Sequence, residues 1–179
     1  GGGRRVGEAS RRGGRPPAER VCRVLEDVGL SGSEGPRDAY EHEGHAALAA
    51  LGLAPIATGE RLTSTAGHAD LVRHRAADTL MPDARRVGGI TPFRRLATLA
   101  DQSHLQLAPH FAMEIHVHLA AAYPREGWVE HFDWLDPLFN ERIEIADGRM
   151  LVPHRPGLGF TLSDYAHSLV TERTEVSEH

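Results

Sequence analysis

Short apolar runs alternate with stretches of helical period along most of this 179-residue chain. A first helix is predicted over 16–28: Pro16 and Pro17 open it, Val21, Val24, Leu25 and Val28 recur at spacings of three and four, and Gly29 stops it. A strand should follow, but Leu30-Ser31-Gly32-Ser33-Glu34 reads as a poor one, since Gly32 and two serines offer little side chain to pack. An Ala/Leu-rich helix over 43–51 leads into a strand ending at Thr58, and a helix over 65–75 into a strand at Leu80-Met81. Val87-Gly88-Gly89 predicts a tight turn into a helix with Thr91 as N-cap, Pro92 as its first residue, and Phe93, Leu96 and Leu99 on one face. A strand to Ala108, a helix over 114–122 and a short run at Trp128-Val129 complete the series. Past Glu130 the periodicity fades into a tail. This alternation predicts a parallel sheet.

Each apolar run is closed by an acidic or histidine side chain: Glu34, Glu60, Asp83, His110 and Glu130, at intervals of 20 to 27 residues. That is the spacing of a βα unit repeated around a barrel, where functional side chains collect at the carboxyl ends of parallel strands. A full (β/α)₈ barrel needs roughly 250 residues, and this chain supplies about six units. The predicted fold is therefore α/β, a partial TIM barrel holding about strands 3–8. Residues 1–15 read as a poorly ordered Gly/Arg-rich start, 16–165 as the incomplete barrel domain and 166–179 as a polar tail.

Composition narrows the function classes. A net charge of −5 with interspersed signs argues against a nucleic-acid surface. No apolar run approaches the roughly 20 residues that span a bilayer, and the start lacks a signal-peptide core. The single Cys22 has no internal partner and reads as a partly buried thiol. These features suggest a cytoplasmic protein. All 20 basic residues are arginine; the chain has no lysine.

Glu34 and Glu60 at successive strand ends are candidate ligands for a hard divalent cation such as Mg²⁺, and Glu8, one interval earlier, is a candidate third. Asp83 beside His110 makes a candidate acid/base pair, because a carboxylate fixes the imidazole tautomer and raises its basicity. His116 and His118 read as packing or solvent-facing residues, as do His42, His45, His68, His74 and His104. His131 points away from Glu130 if that segment is a strand. Val87-Gly88-Gly89 fits neither the P-loop nor the dinucleotide fingerprint, and no serine triad or zinc spacing is present.

The segment Met81-Pro82-Asp83-Ala84-Arg85-Arg86-Val87-Gly88-Gly89-Ile90-Thr91 resembles the sixth-strand motif of the mandelate racemase group in the enolase superfamily. Ala108-Pro109-His110 resembles its seventh-strand histidine, and Pro55-Ile56-Ala57-Thr58-Gly59-Glu60 its fifth-strand metal ligand. With Leu107 to His116, Trp128 to Phe132 and Gly157 to Leu162, the chain is most similar to the L-talarate/galactarate dehydratase family. The resemblance implies a Mg²⁺ ion held by Glu8, Glu34 and Glu60, and His110 with Asp83 as an acid/base. It further implies Glu130 as partner to a substrate carboxylate oxygen. The implied reaction is a hydro-lyase step on an aldarate: the proton α to a carboxylate leaves through a metal-stabilised enediolate, and water is eliminated. Family members are commonly oligomers, so a homo-oligomer is allowed.

The chain departs from the family pattern upstream. The N-terminal capping domain and the first two strands are expected to be absent, and with them the Lys-x-Lys motif that serves the opposite face of the substrate. Glu8-Ala9-Ser10 stands in place of an Asp-x-Asn strand end, and Gly32 in place of a strand tryptophan, a loss of packing. Two alternatives follow: a catalytically inactive truncated barrel fragment, or a racemase or cycloisomerase of the same superfamily.

Overall fold

The computed structural model describes residues 7–8, 19–20, 22–24, 27 and 32–174. Five short strands form one parallel sheet in chain order: β1 (Gly7–Glu8), β2 (Ser33–Glu34), β3 (Ile56–Thr58), β4 (Thr79–Leu80) and β5 (Gln106–Leu107). Helices α1 (His42–Ala49), α2 (Thr65–Arg73), α3 (Ile90–Gln102) and α4 (Met113–Ala121) follow β2, β3, β4 and β5 in turn. This is the partial (β/α) barrel that the spacing predicts. Most of the start, 1–15, and much of the predicted helix over 16–28 lie outside the described residues, although Glu19, Arg20, Cys22, Arg23, Val24 and Asp27 are helical. No helix among the described residues is long and apolar enough to cross a membrane.

The poor strand at Ser33-Glu34 forms because backbone bonds, not side-chain packing, hold it. Ser33 N–H donates to Pro55 C=O at 2.8 Å and Gly35 N–H to Ala57 C=O at 3.0 Å. At Gly32 a Cβ would stand 2.9 Å from the Pro55 carbonyl oxygen, so the backbone as it lies has little room for a side chain there. Helix α3 begins at Ile90, not Pro92, and Gly89 rather than Thr91 precedes it, with no side-chain cap. Gly88 and Gly89 have φ of 95° and 108°, a conformation other residues resist, so the chain enters the helix earlier than the Thr-Pro signal implies.

The core lies between the sheet and its helices. Leu80 and Leu107 from the sheet meet Leu71 from α2, Phe93, Leu96 and Ala100 from α3, and Leu119 from α4. Full burial of a side chain the size of Phe93 contributes about 1.5–3 kcal/mol. Cys22 is buried with Leu48 and Ile56, as expected, and burial pushes its thiol pKa up.

The sequence past Glu130 is more structured than a fading periodicity suggests. It contains a 3₁₀ turn (Asp136–Leu138), a hairpin of β6 (Ile145–Ala146) and β7 (Arg149–Met150), and α5 (Asp164–Ser168), which crosses the expected boundary at 165/166. Asn140 N–H to Thr161 C=O and a tilted Phe139–Phe160 ring pair close this region on itself.

Three histidines, His45, His68 and His116, are fully buried. Burial holds each imidazole below the usual value of 6.5. Below that pH the unfolded chain takes up protons that the folded chain refuses, so stability falls as pH falls. Urea midpoints should decline from about pH 7.5 to about pH 5.5. His45→Phe should flatten that slope, and an unchanged slope would contradict a neutral buried imidazole at 45.

Candidate functional site

The parallel register sets the level at which each strand releases its polar residue. Glu8 pairs with Glu34, Glu34 with Ala57, Thr58 with Leu80, and Leu80 with Leu107. Beyond the last paired residues, Ala108 N–H donates to Leu80 C=O at 3.0 Å and His110 N–H to Pro82 C=O at 3.1 Å. The β4–β5 ladder thus runs on to deliver Asp83 and His110 at one height. Asp83 is fully buried and His110 half-buried, with His110 Nδ1 3.3 Å from Asp83 Oδ2.

Asp83 is shared. Arg85 folds back two residues to donate from Nε to Oδ1 at 3.1 Å and from Nη2 to Oδ2 at 2.6 Å, while its own backbone N–H donates to Oδ1 at 2.9 Å. Arg86 Nε stands 3.7 Å away. Burial alone would raise the Asp83 carboxyl pKa; hydrogen bonds from His110 and Arg85 outweigh it and hold the group ionised, well below the carboxylate range. An ionised Asp83 accepts from His110 Nδ1–H, which turns Nε2 outward as the acceptor nitrogen. The Arg85 guanidinium also lies 4.6 Å from the Phe111 ring centroid.

Gly35, the residue after Glu34, lies beside the carboxylate of Glu60. A Cβ at Gly35 would stand 3.8 and 3.9 Å from the two Glu60 carboxylate oxygens, and Gly35 has φ of 50°. A bare residue next to Glu34 thus leaves room beside the buried Glu60. Among the described residues no group of three or more His, Cys, Asp or Glu is placed to hold a metal ion. Glu8 lies on β1, in register with Glu34, and its side chain falls outside the described residues. Glu34 and Glu60 offer oxygen donors only, the donor type that a hard divalent cation prefers.

Glu130 is not at a strand end. The ladder-like bond described there is Trp128 N–H to Leu107 C=O at 3.0 Å, and residues 127–130 form no strand. Glu130 still reaches the site: its Oε2 accepts from Phe111 N–H at 2.6 Å. Phe111 and Ala112 have φ of 58° and 34°, left-handed values that cost a non-glycine residue about 1–2 kcal/mol. Phe111, Phe132 and Trp134 form a ring cluster over this turn.

Two side chains at the site escape a reading by strand ends. Arg85 is legible only as an arginine two residues past an aspartate in a turn. His116, expected as packing or solvent-facing, is fully buried with both ring nitrogens in contact distance of backbone partners, Phe111 C=O and Ala84 N–H. Met113, His116 and Val117, spaced three and four apart on α4, mark the buried face that carries it.

Residues 6–166 match the family model described as Enolase C-terminal domain-like. The chain is 54% identical to L-talarate/galactarate dehydratase of Salmonella typhimurium over 159 residues, which is 89% of this chain and 40% of that protein. It is 31% identical to D-xylonate dehydratase of Haloferax volcanii over 81% of this chain and 37% of that one. The crystal structure of L-talarate dehydratase from Polaromonas sp. JS666, complexed with Mg and L-glucarate, superposes with a TM-score of 0.91 at 63% identity. That match covers 97% of this chain and 49% of the other. The chain therefore spans less than half the length of these relatives.

Asp83→Asn keeps the side-chain volume and removes the charge that Arg85 and His110 share. It should destabilise the fold by about 1–3 kcal/mol, the lower end reflecting the half-exposed Arg85. Chemical denaturation of both proteins at neutral pH checks this, and an unchanged midpoint would mean that Asp83 carries no net structural bond.

Proposed function

The chain belongs to the Enolase C-terminal domain-like family, and from that membership and the site geometry we propose that it acts as a Mg²⁺-dependent acid-sugar dehydratase of the galactarate/L-talarate type. The observation that carries the reading is the Asp83–His110 contact at neighbouring strand ends. On the strands beside it stand further acidic residues, Glu60 after β3 and Glu34 on β2, with Glu8 on β1 in backbone register with Glu34. Likeness to a solved dehydratase with Mg and L-glucarate bound supports the same reading.

Asp83 holds the His110 Nδ1 proton, so Nε2 is the free lone pair that takes the proton α to the substrate carboxylate. The C–H electron pair moves toward that carboxylate as the bond breaks. Glu34, Glu60 and Glu8 would hold the divalent cation, which supplies Lewis-acid stabilisation of the charge building on the carboxylate oxygens. Loss of the β-hydroxyl with a proton gives water and a keto-deoxy acid. Glu130, tied by Oε2 to Phe111 N–H, has its second oxygen to meet a substrate carboxylate group, which must then be protonated or share a proton with it. Arg85 adds positive charge beside the same turn.

A second reading is a catalytically silent barrel segment: all 20 basic residues of this sequence are arginine, which cannot act as a base at neutral pH. Proton abstraction needs only the His110 face, so exchange separates the two readings. With Mg²⁺ and galactarate, L-talarate or L-glucarate in D₂O, the proposed enzyme should incorporate deuterium at the α-carbon or release keto product, read by NMR. His110→Asn should lower that rate on the order of 10²-fold or more. Neither exchange nor product in the unmutated chain would leave the silent reading standing.

Metal binding is tested separately. Mg²⁺ at millimolar concentration should raise the melting temperature of the chain, and Glu34→Gln or Glu60→Gln should remove the rise. A rise that survives both substitutions would place the ion elsewhere.

A further inference from the structure

We propose that His116 is a positioning residue for the Asp83–His110 pair: one neutral imidazole ties the residue after Asp83 to the residue after His110. Its Nε2 accepts from Ala84 N–H at 3.1 Å, and its Nδ1–H donates to Phe111 C=O at 2.6 Å. Ala84 and Phe111 directly follow the two members of the pair. The ring therefore clamps the β4 and β5 strand ends from behind, at the point where the ladder bond from His110 N–H to Pro82 C=O is the last between them.

Only one protonation state makes both bonds. The neutral ring with its proton on Nδ1 donates to the carbonyl and accepts from the amide; the protonated ring would point a second N–H at the Ala84 N–H. The groups facing the ring set that state. Phe93 of α3 stacks on it at 5.5 Å between centroids. Asp83 favours the charged ring, while Arg85 and His110 oppose it. Burial, the largest influence, keeps the ring neutral, its pKa below the usual 6.5.

The clamp also explains how Phe111 and Ala112 stay left-handed. Glu130 holds the Phe111 N–H and His116 its C=O, so both polar groups of the strained residue are fixed. Without His116 that turn loses one of its two anchors, and the imidazole of His110, one residue earlier, loses its aim.

The proposal rests on the dehydratase reading for its rate effect but not for its geometry, so the test reads both. Ring and backbone nitrogens are observed by ¹⁵N NMR in the full chain, with α-proton exchange measured in parallel. His116→Phe keeps a flat aromatic ring, somewhat larger, and breaks both bonds; His45→Phe, the same exchange at a buried histidine on α1 outside the site, is the control for the added bulk. Expected for His116→Phe are amide exchange at Ala84 faster by about tenfold or more, a shifted His110 ring signal, and an exchange rate reduced on the order of tenfold in kcat with little change in KM. His116→Gln, whose amide oxygen can still accept from Ala84 N–H, should recover part of each. His45→Phe should move none of them at an equal loss of melting temperature.

Equal effects from the two Phe variants, or an undisturbed His110 signal in His116→Phe, would overturn the proposal. If the unmutated chain shows no α-proton exchange, the dehydratase reading fails while the NMR coupling still decides the clamp. If His116→Phe does not fold, the unmutated chain is titrated downward in pH. The Ala84 amide and His110 ring signals should then change together with protonation of His116, and independence of the three would end the idea.

Discussion

A parallel ladder fixes the height at which each strand gives up its last side chain, and the site depends on that constraint. Successive strands are joined by bonds through Glu34 and Ala57, Thr58 and Leu80, Leu80 and Leu107. Glu60, Asp83 and His110 then leave two or three residues past the ends of their strands. A one-residue slip would turn the carboxylates of one strand into the helical layer. The buried Leu80 and Leu107 oppose such a slip, since they would exchange places with polar neighbours. Core packing and site geometry are thus the same specification.

Within that frame the decisive electrostatic feature is the division of Asp83. A lone buried carboxylate beside a histidine would be costly to ionise. Arg85, drawn from the same turn, makes ionisation favourable at every ordinary pH. Its cost is competition, since part of the Asp83 charge is neutralised by the guanidinium rather than by the imidazole. Arg85 in turn contacts the Phe111 ring, so the turn after Asp83 and the turn after His110 are joined by this contact and again by His116.

Much of this was legible in the sequence because barrel geometry repeats. The even spacing of polar residues behind apolar runs located four strand ends, and the hydrophobic face of α3 was read correctly at Phe93 and Leu96. Glu130 shows the limit of spacing: it occurs at the right interval and reaches the site, but from a loop, through a side-chain bond to Phe111 that periodicity does not encode. Gly32 shows another. The nearness of the Pro55 carbonyl, 2.9 Å from a Cβ placed there, is a tertiary fact that composition does not encode. His116 was passed over among 12 histidines because burial and two backbone partners, not residue type, distinguish it.

Of the side chains described at this site, His110 carries the proton-transfer role under the proposed function. Arginine stays protonated across the working range and cannot act as a base, so on the proposed reading the proton that leaves carbon goes to His110, the imidazole held by Asp83. The proton taken by Nε2 leaves an imidazolium that Asp83 stabilises, and that imidazolium is itself an acid. If the β-hydroxyl leaves from the same face, one residue both removes the α-proton and protonates the departing oxygen, and the ring returns to neutral when water forms. Departure from the opposite face would instead require a second acid, placed across the substrate from His110. Under the proposed function, the stereochemistry of elimination therefore reports whether the His110 face is sufficient.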